Sequence, residues 1–162
     1  MKKLVLLLSF FLMLLSAQKT AAQVFSLLVS HTSSERSKDS HSTTETFNLT
    51  GKNLSYTVTY SGRKGPNQKD EEKKCVLTDE QVNKISATLQ EKKLNVTDSL
   101  INNLTGMEAP YTAETITITV TKGNKITKIR VKGTSAQVSN KTVYSNSLYL
   151  INMISRMLKT CS

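Results

Sequence analysis

The stretch Glu114–Gly133, ETITITVTKGNKITKIRVKG, restricts the fold more than any other part of the chain. Ile116, Ile118 and Val120 alternate with Thr115, Thr117, Thr119 and Thr121, a period of two that sends aliphatic side chains to one face of a strand and hydroxyls to the other. Lys122-Gly123-Asn124-Lys125 supplies a turn, and Ile129 and Val131 resume the apolar face on a returning strand. Ile126 falls out of phase with Ile129, which predicts a bulge near Thr127 and Lys128. The hairpin is a scaffold and carries no chemistry, so the remaining chain is read as elements that repeat it or pack against it.

Glu45–Gly62 repeats it. Phe47 and Leu49 alternate, Thr50-Gly51-Lys52-Asn53 turns, and Leu54, Tyr56, Val58 and Tyr60 alternate again, the two tyrosines reading as core or half-buried sheet residues. Phe25, Leu27 and Val29 form a short first strand, and Ser30–Thr44, without one aliphatic residue, reads as a loop. Arg63–Lys74 is a charged loop punctuated by Gly65-Pro66. Thr78 and Gln81 have the spacing of a capping box, with Leu77 and Val82 placed for a hydrophobic staple, so a helix starts here and ends near Lys93 with Val82, Ile85 and Leu89 on one face. Leu94–Pro110 reads as an irregular crossing and Thr134–Val143 as polar loop. A last helix capped by Ser145 or Ser147 carries the stripe Leu148, Ile151, Ile154 and Leu158.

Sliding the chain by 71 positions lays Phe47 on Ile118 and Leu49 on Val120, and the two helices match at 69 positions, Val82 on Ile151 and Leu89 on Leu158. The expected fold is therefore α+β: an antiparallel sheet of about five strands, two helices on one face, arranged as a tandem ββα repeat whose units pair edge to edge. At the level of architecture alone such units resemble exported inhibitor and PepSY-type modules, a likeness that does not transfer function.

Met1–Ala22 is read as a signal peptide. Lys2 and Lys3 precede an apolar run from Leu4 to Leu15, and Thr20-Ala21-Ala22 offers small residues for cleavage after Ala22. The apolar run falls short of the ~18 residues that span a bilayer, so no membrane span is expected after cleavage. Residues 23–162 then form one domain in the periplasm or the medium. Loss of Lys2, Lys3 and Lys19 takes the formal charge from +10 to about +7. Export argues against nucleic acid as partner and leaves an envelope protein or an anionic surface such as a glycan or lipid. Cys75 and Cys161 are the two cysteines of the chain. In an oxidising compartment, without CxxC spacing, they read as one disulfide, worth on the order of 4 kcal/mol in the chain-entropy model.

Of the catalytic motifs GxSxG, HExxH, the P-loop and GxGxxG none occurs, and no cofactor motif either. His31, Asp39, His41 and Glu45 contain metal-ligating groups, but no apolar residues stand among them to hold a site together. The chain is expected to be a non-enzymatic binding domain, in inhibitor style, using Arg63 and Lys64 of the basic loop together with Lys128, Arg130 and Lys132 on the hydroxyl face of the hairpin. The alternative is a carrier holding a lipid or small apolar ligand between sheet and helices, with Met153 and Met157 as adaptable wall residues.

Overall fold

The structure, a computed structural model, describes residues 25–35, 41–62, 68–95, 99–102, 112–133 and 141–161. Chain order is β1 (Phe25–Glu35), β2 (His41–Thr50), β3 (Asn53–Gly62), β4 (Glu71–Val76), α1 (Asp79–Glu91), β5 (Ser99–Asn102), β6 (Thr112–Lys122), β7 (Lys125–Gly133) and α2 (Lys141–Thr160). All seven strands share one sheet in the order β4-β3-β2-β1-β6-β7-β5. Six of them form an antiparallel array, and β5 joins β7 in parallel at the edge.

The sheet is larger than the expected five strands, because polar segments that looked like loops are paired. Ser30–Glu35 continues β1 and His41–Thr44 opens β2, with Thr32 opposite Thr44 and Ser34 opposite Ser42. Their inward positions need no aliphatic residue, since His31, Ser33, Thr43 and Glu45 lie where the aliphatic core gives out. The end of the charged segment, Glu71–Lys74, is likewise strand. An edge strand keeps charges on both faces and so discourages pairing with a further chain. Ser99–Asn102, expected to be irregular, is β5.

The expected bulge is absent. Lys122 pairs with Lys125, Thr121 with Ile126 and Val120 with Thr127 in unbroken register. The two-residue turn Gly123-Asn124, with φ +58° at the glycine, has the glycine-first pattern of a type II′ hairpin. This register sends Ile126 outward, 67 % exposed, and places Thr127 in the core row. Gly51-Lys52 turns the other hairpin in the same way, again with φ +58° at the glycine.

The tandem ββα repeat is not confirmed. β1 separates the two hairpins, so they do not meet edge to edge. Val29 pairs with Phe47 on one side and Ile118 on the other, and Leu27 with Leu49 and Val120. The shift of 71 positions therefore records two flanks of one shared strand. β2 and β6 run parallel to each other and each hairpin steps outward from β1, while both turn their apolar faces to the same core. Those hairpins are related as mirror images, and no rotation that keeps the apolar face inward superposes them.

Both helices contribute to one core with the sheet. Ile85 and Leu89 of α1 and Leu150 and Ile154 of α2 meet Leu27, Val29, Phe47, Leu49, Ile116 and Ile118, all nearly inaccessible to solvent. The start of α1 is as expected. Gln81 N–H donates to Thr78 Oγ1 (3.2 Å) and Thr78 N–H donates to Gln81 Oε1 (2.9 Å), a reciprocal capping box. Lys52 anchors this end from the β2–β3 turn: its carbonyl accepts from Leu77 N–H (2.8 Å) and its Nζ pairs with Asp79 (2.8 Å). At the other end Lys93 takes φ +53°, Leu94 N–H donates to Leu89 O (2.8 Å) and Lys93 N–H to Gln90 O (3.1 Å). These are the two bonds of a Schellman stop.

α2 begins earlier than a cap at Ser145 or Ser147 would allow. Ser147 is buried within the helix, where its hydroxyl donates to Val143 O (2.8 Å). Along the helix pair, Asn146 reaches the carbonyl of Lys92 (3.2 Å), Thr88 donates to Met153 Sδ (3.5 Å), and Cys161 is bonded to Cys75, ahead of α1. Contacts that rise along one helix as they fall along the other make the pair antiparallel. The expected Cys75–Cys161 disulfide joins edge strand β4 to the end of α2, with Cα atoms 6.0 Å apart.

Candidate interaction surface

With both helices on the inner face, the outer face of the sheet has no covering element among the described residues. Strand alternation decides what it displays. On β3, β2, β1 and β6 every outward position is Ser, Thr or Asn except Leu28 and Ala113. Register aligns these groups into rows, such as Thr57, Thr46, Ser30 and Thr117, and beside it Thr59, Thr44, Thr32 and Thr115. Within the second row the hydroxyls of Thr32 and Thr44 lie 3.0 Å apart. Four strands at the usual spacing make a plane about 14 Å wide, and it carries no charge.

Charges stand at its margins. Arg130 and Lys132 continue those two rows on β7, where β5 follows with Leu100 and Asn102 in register with them, and Lys128 continues the next row, opposite Thr119. All three are exposed. Among the described residues none of them has an acidic partner. On the opposite margin Glu72 and Lys74 of β4 pair with each other at 2.8 Å, which leaves that side electrically compensated. Of the expected surface residues the fold thus gathers Lys128, Arg130 and Lys132 into one column, while Arg63 and Lys64 lie outside the described residues.

A second constellation, not foreseen as a unit, lies on the inner face. His31 Nδ1 is 3.7 Å from Glu45 and its Nε2 is 3.7 Å from Glu114. Tyr56 O–H donates to Glu45 (2.8 Å), and Tyr144 O–H from α2 donates to Glu114. Glu45 raises the pKa of His31 above its ordinary 6.5; burial works against that, and Glu114 adds to it. At 3.7 Å the attraction is between charges, since neither contact is short enough for a hydrogen bond, and the buried His31 Nε2 has no hydrogen-bond partner among the described residues. His31 in turn lowers the pKa of Glu45. Burial, with the hydrogen bond to Glu114, pushes the Tyr144 phenol up to about 12.

The two carboxylates favour the charged form of His31, and a ring protonated at both nitrogens has no lone pair for a base or a metal. Among the described residues no group of three or more His, Cys, Asp or Glu side chains is arranged to hold a metal. His31 and Glu45, two of the four residues weighed for a metal, do come together, but as a charge pair.

Met153 and Met157 are nearly buried, and with Lys84, Tyr149, Asn152 and Arg156 they border a depression on the outer surface of the helix pair. Between sheet and helices lie the buried side chains of the core, among them Leu27, Val29, Phe47, Ile85 and Ile154. No helix among the described residues is long and apolar enough to cross a membrane. The arrangement defines an α+β domain with one sheet, one helical layer and one disulfide. Compared with protein-family models and with curated proteins, the chain finds no match.

Proposed function

We propose that this chain is an exported, non-catalytic binding domain that holds its partner on the open face of the sheet. The observation that carries the reading is the outer face itself. Among the described residues, seven strands with both helices on the other side leave a broad plane of hydroxyl groups beside the column Lys128, Arg130 and Lys132, which has no acidic partner there. The inner polar cluster supports a non-catalytic role, because His31 is committed to Glu45 and Glu114. The carrier alternative draws no support from the packed space between sheet and helices.

Capture from envelope extract tests the reading. The disulfide-bonded protein is immobilised, loaded, and washed with rising salt, beside a variant carrying Lys128→Glu, Arg130→Glu and Lys132→Glu. Material retained by the native protein and released by the variant, at unchanged thermal midpoint, is the expected result. Retention that ignores the reversal of three exposed charges would move the binding surface elsewhere.

A further inference from the structure

We infer that the partner on the open face is an acidic polysaccharide, a sugar polymer bearing carboxylates, with its charges over β7 and its hydroxyls over the neutral plane. This deepens the preceding reading and rests on it. The first ground is charge. Lys128, Arg130 and Lys132 project from one side of one strand, neighbours about 6.7 Å apart, with Thr119, Thr117 and Thr115 as their row mates on β6. Like charges in such a column repel, and no acid among the described residues offsets them. A polymer with regularly spaced anions relieves that repulsion at several points together.

The second ground is the plane beside the column. Lys, Arg, Asp and Glu make up 21 % of the chain, yet the outward positions of four adjacent strands hold none of them. Solvated faces of antiparallel sheets ordinarily carry polar and charged residues alike. Rows of hydroxyl and amide groups donate and accept equally, which matches a ligand whose own surface is hydroxyl.

The third ground weighs against the rival polyanions. A protein partner would call for aromatic or Met anchors at the centre of the patch, and a lipid surface for apolar side chains to insert. Tyr56 faces inward against Phe47, with ring centroids 4.8 Å apart. Among the residues whose side chains are described, the exposed large apolar residues of the outer face are Leu28, Val76 and Ile126, on β1, β4 and β7, no two of them on adjacent strands.

Binding is measured by retardation of the purified, disulfide-bonded protein in native gels. The gels contain polygalacturonate, alginate, methyl-esterified polygalacturonate or poly-glutamate, and co-sedimentation with phosphatidylglycerol vesicles is measured alongside. Either uronate polymer is expected to bind, with the methyl ester and poly-glutamate at least tenfold weaker. The triple charge reversal should abolish binding. Thr46→Val with Thr117→Val, which keeps the β-branched shape and removes two hydroxyls, should weaken uronate binding about tenfold and leave poly-glutamate binding unmoved. Equal binding of poly-glutamate or vesicles, no effect of the threonine pair, or binding to neither uronate overturns the assignment to an acidic glycan. In each of those cases capture that still depends on Lys128, Arg130 and Lys132 keeps the broader reading, and capture that ignores them removes both.

Discussion

His31 has carboxylates at both ring nitrogens, and its effect on stability follows from which of the groups is charged. The folded state raises the His31 pKa above 6.5, so the pairing contributes fully below 6.5 and is lost as pH climbs through the raised value. The folded state lowers the Glu45 pKa below 4.5, so its share is present above 4.5 and is lost as pH falls through the lowered value. Stability from the pair is greatest between 4.5 and 6.5. The thermal midpoint should therefore fall from pH 6 to pH 9 in the native protein and fall less in His31→Gln. Proton NMR of the ring should give a midpoint above 6.5, and a midpoint at or below that value would show that the carboxylates do not hold it. This cluster was illegible in the sequence for a physical reason. Glu114 comes 83 residues after His31, and β1–β6 pairing alone brings it near. The motif spacings that a reader can search for belong to single elements or short loops.

Elements were legible where a hydrophobic rhythm or a cap had to be present. Thr78 and Gln81 announced the start of α1 because four unpaired N–H groups there require acceptors, and both reciprocal bonds form. Thr78→Ala should cost about 1 kcal/mol, read as a lower denaturant midpoint with unchanged slope. At the other end Lys93 occupies the left-handed region that favours glycine. Lys93→Gly should raise stability by up to about 1 kcal/mol; a loss would mean that the lysine side chain matters more than its backbone. The elements that escaped notice have inward positions without aliphatic residues. The far parts of β1 and β2 place His31, Ser33, Thr43 and Glu45 there, and β4 places Glu71 and Lys73 on an edge. Period-two reading depends on one face being greasy, and these segments have none. Ile126 misled in the opposite sense: a two-residue turn sets the register, and the register overrode its hydrophobicity.

At the scale of the molecule, the α+β class with its antiparallel sheet and two helices and the disulfide partners were readable, and the position of β1 was not. A strand that pairs on both sides shows in sequence only its own two faces; both neighbours of β1 share its register, and that shared register imitated a repeat. The Cys75–Cys161 bond spans 86 residues and ties a sheet edge to the last helix. Its reduction should remove about 4 kcal/mol, seen as a large drop in denaturant midpoint, whereas a small drop would mean that the packed helices already hold β4 in place. Pairing of β1 with β6 sets Val29 against Ile118, and contacts so distant in sequence slow folding. Refolding of the reduced chain should lie in the millisecond-to-second range, and refolding with the disulfide intact should be faster because part of that closure already exists.

The central place of β1 has a consequence for biosynthesis. Of the described strands β1 leaves the ribosome first and finds β2 almost at once, but its other margin stays bare until β6 is made, about eighty residues later. At ordinary elongation rates that interval lasts roughly 4–16 s. For that time the nascent chain presents an open strand margin to any holdase or protease that recognises one, and the sheet closes only when the last third of the polypeptide arrives.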